Sequence, residues 1–226
     1  MDSKSNLNAS EKILRLLENY RMFNFMCALL ILLILTAVLE GYSYAHSLLS
    51  TFGMVVFAAG GYAACTSRRS LKILVTLAVP WLLCEWFFPS SMLVYLNFFF
   101  FFYLIVLLVR MVINSDEITS NTLYGAVCIY LLLGLMWATL YGFINEIFPG
   151  SIFSGMLPDA YHHHKEINEF IYFSYTTLTT LGYGDITSVT PVGRLIAVFE
   201  AMTGQLFLAF LVARLISVYS LKHINK

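Results

Sequence analysis

Long apolar stretches separated by short polar segments dominate the pattern along the chain. Each stretch approaches the roughly 20 residues that an α-helix needs to cross a lipid bilayer. They run from Met22 to Leu39, Leu48 to Cys65, Leu71 to Phe88, Met92 to Ile113, Leu123 to Ile147 and Val192 to Tyr219. The pattern therefore predicts an all-α membrane protein with six transmembrane helices.

The composition agrees with a lipid surrounding. Of the 226 residues, 59% are hydrophobic and 12% are charged, whereas soluble domains carry about 25% charged residues. The net charge is +0 and no dense basic tract occurs, so nothing in the charge distribution indicates nucleic acid as a partner. The four cysteines lie inside apolar stretches without paired spacing, which argues against a disulfide scaffold or a zinc site.

The placement of basic residues predicts the orientation. If the N-terminus is cytoplasmic and the chain crosses six times, eleven of the 13 Lys and Arg residues lie on the cytoplasmic side, and only Lys165 and Arg194 lie outside. Positive charge is retained on the cytoplasmic side of membranes. We therefore expect both termini in the cytoplasm and the chain among the lipids of the plasma membrane, which is the inner membrane if the protein is bacterial.

The segment between the last two apolar stretches, Phe148 to Pro191, differs from the other connections in its length. Its first part is polar and includes the histidine run 162–164, which we expect in a solvated loop. Its second part, Ile167 to Thr179, is apolar and aromatic. A helix of about 13 residues is too short to cross a bilayer. The pattern predicts a re-entrant helix that enters the membrane and returns.

The residues after this short helix are Leu181-Gly182-Tyr183-Gly184-Asp185, with glycines at alternate positions. Irregular backbone at membrane depth is tolerated only where it is buried in protein or lines a watery cavity. A short helix followed by glycine-containing chain therefore predicts a pore element.

The stretch from Thr177 to Asp185, T-L-T-T-L-G-Y-G-D, resembles the signature of the tetrameric potassium channel superfamily. The resemblance to its bacterial-type, six-helix, voltage-insensitive members extends from about Asp116 to Tyr219, while the first four predicted helices match only by topology. In such channels main-chain carbonyls replace the water shell of K⁺, and glycine permits the alternating backbone that this needs. The resemblance implies that K⁺ is held by the carbonyls of Thr180, Leu181, Gly182 and Tyr183 and by the Thr180 hydroxyl.

The resemblance also implies an outer mouth formed by Gly184 and Asp185, and a pair between Asp185 and Arg194 is expected there. Leu181 replaces the usual valine or isoleucine. Because residue 181 contributes a carbonyl, we expect selectivity to be kept.

Several residues are expected to support the filter. Tyr172 and Phe173 are predicted to pack around it as an aromatic cuff. The carbonyls of the short helix's last turn, 177–179, would present the negative end of the helix dipole to a cation. Glu200 is an ionisable group at membrane depth and needs a partner, which we expect to be Thr176 or Thr177.

Gly204 interrupts the last apolar stretch. It is either a hinge for gating or a position of close helix packing, and the sequence does not separate the two.

One filter segment occurs in the chain and no pore unit is repeated, so a closed ring requires four chains and predicts a homotetramer. The predicted parts are an N-terminal cytoplasmic segment at 1–21, a four-helix peripheral domain without voltage-sensor arginines at 22–113, a cytoplasmic linker at 114–122, a pore domain at 123–220 and a cytoplasmic tail at 221–226.

The predicted function is passive conduction of K⁺ without steep voltage sensing. One charge crossing 100 mV contributes only about 2.3 kcal/mol, and the fourth apolar stretch carries only Arg110. Two alternatives remain open, a weakly selective cation channel and a non-conducting subunit that regulates a partner channel. No catalytic constellation lies at membrane depth, so we expect no enzyme and no cofactor other than K⁺ in the filter.

Overall fold

A computed structural model describes residues 20–39, 45–64, 90–115, 119–148, 153–154 and 164–224, together with positions 72 and 76. The elements in these ranges are α1 Arg21–Val38, α2 Ala45–Ala64, α3 Ser90–Ile113, α4 Ser120–Ile147, β1 Phe153–Ser154, α5 His164–Leu178, β2 Thr187–Ser188 and α6 Pro191–Ile224. This part of the chain is mostly helical, as predicted.

Three helices within the described ranges are long and apolar enough to cross a membrane, namely Arg21–Val38, Ser120–Asn145 and Pro191–Arg214. Two shorter apolar helices, Thr51–Gly61 and Asn97–Ile113, coincide with the second and fourth predicted spans. Only positions 72 and 76 of the third predicted span are described. The N-terminal segment 1–19 and histidines 162–163 also lie outside the described residues. Six spans therefore remain a prediction.

The helix α4 is central, because α1, α3 and α5 all pack along it. Its first turn is fixed by a capping box in which Thr119 Oγ1 accepts from the Thr122 amide and Thr122 Oγ1 accepts from the Thr119 amide. Such a box satisfies amides that a helix leaves free at its start. As a result α4 begins at Ser120, three residues before the predicted start at Leu123.

The helices before α4 pack through apolar side chains at helical spacing. On α1 the buried residues are Met22, Phe25, Leu29 and Leu32, three or four positions apart, which places them on one face. Gly60 of α2 lies directly against Phe25, since a Cβ there would be 2.1 Å from the ring.

The short helix α5 packs between α4 and α6. It has 15 residues, begins at His164 rather than Ile167 and ends at Leu178 rather than Thr179. At about 1.5 Å per residue it is too short to span a bilayer.

A two-stranded ribbon was not predicted. In it β1 pairs antiparallel with β2, with Phe153 opposite Ser188. The ribbon therefore connects the segment before α5 to the chain that follows residues 180–185, which we call the glycine turn. Two residues per strand are too few to give an alternating sequence signal.

The helix α6 follows the ribbon directly. It begins at Pro191, whose fixed φ suits the first helical position, and Thr190 Oγ1 accepts from the Gly193 amide at 3.2 Å.

Candidate functional site

The backbone after α5 alternates in sense. Thr180, Gly182 and Gly184 have φ of 58°, 53° and 80°, so every second residue adopts the left-handed region that glycine occupies without steric cost. At Thr180 the same conformation costs roughly 1–2 kcal/mol. This alternation is the backbone pattern that a row of carbonyls facing one side requires, and it occurs at the predicted positions.

The turn is anchored to the last turn of α5 through the main chain. The Thr176 carbonyl accepts from the amides of Leu181 at 2.9 Å and Gly182 at 3.1 Å, and the Thr177 carbonyl accepts from the Thr180 amide at 2.9 Å. Thr176 and Thr177 thus hold the turn by their carbonyls. The Thr177 carbonyl, expected to face a cavity, is instead engaged with Thr180.

The carbonyl oxygen of Leu178 contacts α6 on one side and α4 on the other. A Cβ on Gly204 would lie 2.1 Å from this oxygen, and the phenol of Tyr130 donates to it at 3.2 Å. Only glycine permits α6 to approach so closely. The contact favours close packing as the role of Gly204, while its role as a hinge stays a prediction.

The carboxyl group of Glu200 is fully buried between the three helices. Its Oε1 lies 2.5 Å from Ser174 Oγ on α5, and its Oε2 accepts from the phenol of Tyr141 on α4 at 2.6 Å. The prediction that Thr176 or Thr177 is its partner was wrong. Ser174 faces α4 and α6 at once, whereas the Thr176 hydroxyl donates to the Phe173 carbonyl of its own helix at 3.0 Å.

At the C-terminal end of the turn, the phenol of Tyr172 donates to Asp185 Oδ2 at 2.6 Å, and Asp185 Oδ1 accepts from the Ile186 amide at 3.0 Å. The Tyr172 hydrogen bond holds the pKa of Asp185 below its ordinary value, because it favours the charged form. The expected pair between Asp185 and Arg194 is not formed, since Arg194 Nε donates to the Ser188 carbonyl at 3.1 Å.

The two residues of the predicted cuff point in different directions. Tyr172 reaches the turn, whereas Phe173 is buried and packs edge-on against Tyr141 of α4, with ring centroids 5.0 Å apart. Phe173 therefore packs α5 against α4, next to Phe170 and Ala138.

The sequence did not predict a contact at the N-terminal end of the turn. The side-chain amide of Gln205, on α6, donates to Thr180 Oγ1 at 3.2 Å. A polar residue in the apolar stretch directly after Gly204 was the available signal.

The sequence also did not predict the contacts of Ser174 and Tyr175, whose hydroxyls reach the α4 carbonyls of Gly134 at 2.7 Å and Leu131 at 2.6 Å. Because Ser174 and Tyr175 are adjacent in the sequence, they show no helical spacing that would have indicated a shared contact with α4.

Side chains of the turn are accessible in the single chain, with Leu181 55% and Tyr183 70% exposed. Within the described residues no group of three His, Cys, Asp or Glu side chains could hold a metal ion. Main-chain and hydroxyl oxygens, such as those of this turn, are ligands suited to hard cations.

A comparison with protein families falls on the same part of the chain. Residues 125–220 match a protein-family model described as an ion channel. This range holds most of α4, all of α5, the glycine turn and most of α6.

A protein of Aeropyrum pernix named as a voltage-gated potassium channel is 26% identical over 105 residues, which are 46% of this chain and 31% of that protein. The chain thus spans about a third of the length of that relative. Both matches are thus to proteins that are described or named as ion channels.

Proposed function

We propose that the protein is a subunit of a potassium-selective channel and that K⁺ passes a filter formed by Thr180, Leu181, Gly182 and Tyr183. The observation that carries this proposal is the alternating backbone at Thr180, Gly182 and Gly184 directly after a short helix. Carbonyls aligned in this way replace the hydration shell of K⁺ in potassium channels. The Thr180 hydroxyl would complete the innermost site, and Asp185 would lie at the outer mouth.

The assembly we propose is a homotetramer, because the chain supplies one turn and a ring needs four. The surface of α6 supports this proposal. Large apolar side chains on this helix are at least half exposed in the single chain, among them Val192, Leu195, Val198, Phe199 and Met202. Such a face requires an apolar partner, which neighbouring α6 helices and lipid would provide.

We propose that the channel does not sense voltage steeply. The helix α3, which corresponds to the fourth predicted span, carries only Arg110, in its last turn. We propose that Arg110 anchors the helix end at the cytoplasmic surface. The protein would then be a bacterial-type channel of the plasma membrane, with both termini in the cytoplasm.

Flux through reconstituted liposomes tests this function. We expect K⁺ flux that Ba²⁺ blocks, little Na⁺ flux, and loss of K⁺ flux in Gly182→Ala, because φ of +53° at Gly182 is strained for any other residue. The control Leu181→Val changes a neighbouring side chain and should retain flux.

Equal Na⁺ and K⁺ flux would support a weakly selective cation channel. Tetramers without flux would support a regulatory subunit. Either result would overturn the proposal.

A further inference from the structure

Three short oxygen contacts form a chain through Glu200 and Ser174, and two of them involve the Glu200 carboxyl group. The Tyr141 phenol oxygen lies 2.6 Å from Oε2, Ser174 Oγ lies 2.5 Å from Oε1, and Ser174 Oγ also lies 2.7 Å from the Gly134 carbonyl oxygen. Glu200 and Ser174 are fully buried. The chain of contacts therefore runs from α4 through α6 and α5 and back to α4.

Each of these contacts needs its own proton. Oxygen atoms at 2.5–2.7 Å attract only when a hydrogen lies between them, since otherwise their lone pairs face each other. Tyr141 supplies the proton of the first contact. Ser174 has a single hydroxyl hydrogen for two neighbouring oxygens, and the Gly134 carbonyl has none. The third proton must come from Glu200.

We infer that Glu200 is a neutral carboxylic acid that donates from Oε1 to Ser174, while Ser174 donates to the Gly134 carbonyl and Tyr141 donates to Oε2. With this arrangement every short contact is a hydrogen bond with one donor and one acceptor. An ionised carboxylate would leave one pair of oxygens in contact without a proton.

The charges near Glu200 agree with a neutral acid. Its partners from α4 and α5 are hydroxyl groups, and the arginines of α6 in the described chain donate elsewhere, Arg194 to the Ser188 carbonyl and Arg214 to the carbonyls of Ile113 and Ser115. An ionised carboxylate buried at this depth without a cation is strongly disfavoured.

A neutral Glu200 would act as a positioning residue. Its proton links α6 to Ser174 on α5, two residues before Thr176, whose carbonyl holds the amides of Leu181 and Gly182. The protonation state follows from the hydrogen-bond geometry alone, whereas its effect on conduction depends on the proposed function. The two can therefore fail separately.

Infrared spectroscopy of the full chain in lipid at neutral pH tests the inference. We expect a C=O stretching band of a neutral carboxylic acid that is absent from Glu200→Gln. We also expect Glu200→Gln to keep the thermal stability of the wild type, because its amide can donate to Ser174 and accept from Tyr141. Glu200→Ala should lose stability, since the hydroxyls of Ser174 and Tyr141 lose their partner.

A second variant keeps the test decisive if Glu200→Gln does not fold. In Ser174→Ala the Glu200 proton loses its acceptor, so the same band should shift to higher frequency. An ionised carboxylate band that Glu200→Gln removes, or a spectrum that neither variant changes in the carboxylic acid region, would overturn the inference. Absence of ion flux in the wild type with the band present would reject the proposed function alone.

Discussion

The phenol of Tyr172, in the middle of α5, donates to Asp185 Oδ2 at 2.6 Å across the glycine turn. This hydrogen bond joins the helix that precedes the turn to the residue that closes it. The two ends of the turn are thereby held by different means, since main-chain carbonyls of Thr176 and Thr177 hold the N-terminal end.

The Tyr172 to Asp185 bond predicts how conduction responds to external acid. The bond keeps the pKa of Asp185 below its ordinary value. The stabilisation that ionised Asp185 gives to the turn is therefore complete above the ordinary aspartate pKa of about 3.9, and it is lost as the pH falls through the lowered pKa. In Tyr172→Phe the pKa of Asp185 rises, so flux should fail at a higher external pH than in the wild type.

Flux measured against external pH gives this comparison. Tyr175→Phe is the control, because the phenol of Tyr175 donates to the Leu131 carbonyl on α4. Identical acid profiles in Tyr172→Phe and the wild type would contradict the prediction.

The approach of α6 to the Leu178 carbonyl predicts that Gly204→Ala destabilises the protein. A Cβ at 2.1 Å from this oxygen forces the helices apart, at a cost of about 1–3 kcal/mol in the free energy of unfolding. Denaturant titration in detergent measures the change. In the control Gly53→Ala the new Cβ would meet its neighbours no closer than 3.5 Å, so equal losses in both variants would count against close packing at Gly204.

The amide of Gln205 predicts an effect on the innermost ion site. It occupies a lone pair of Thr180 Oγ1 at 3.2 Å, and Gln205→Leu frees that lone pair for a cation. Block of K⁺ flux by Ba²⁺ should strengthen by about two- to tenfold, the equivalent of one hydrogen bond. Thr203→Val is the control, since its hydroxyl donates within α6 to the Phe199 carbonyl. Unchanged block in Gln205→Leu would argue against contact with the ion site.

The hydrogen bonds of Arg214 connect α6 to the end of α3, and we expect them to stabilise the protein. Its guanidinium donates to the carbonyls of Ile113 at 2.6 Å and Ser115 at 3.0 Å, and a cation at the end of a helix is favourable. Arg214→Gln should lower the free energy of unfolding by about 1–3 kcal/mol and speed amide exchange in the last turn of α3. Arg110→Gln, which removes an exposed charge from α3, should do neither, and equal effects would refute the link.

The parts of the fold that the sequence predicted correctly depend on local signals. Glycines at positions 182 and 184 mark the turn, and the length of apolar stretches marks α1, α4 and α6. The partners of Glu200 could not be predicted, because they depend on the relative rotation of three helices. Ser174 and Tyr141 are 26 and 59 positions away from it. The contact of Arg214 with Ile113 joins residues 101 positions apart, for which a single sequence has no periodic signal.

Anomalous scattering from thallium, a substitute for K⁺, in crystals of the assembled protein tests the filter most directly. We expect a row of thallium sites on a four-fold axis, ringed by main-chain oxygens of residues 180–183 from four chains. An assembly without four-fold symmetry, or carbonyls of these residues turned away from the axis with no thallium between them, would contradict it.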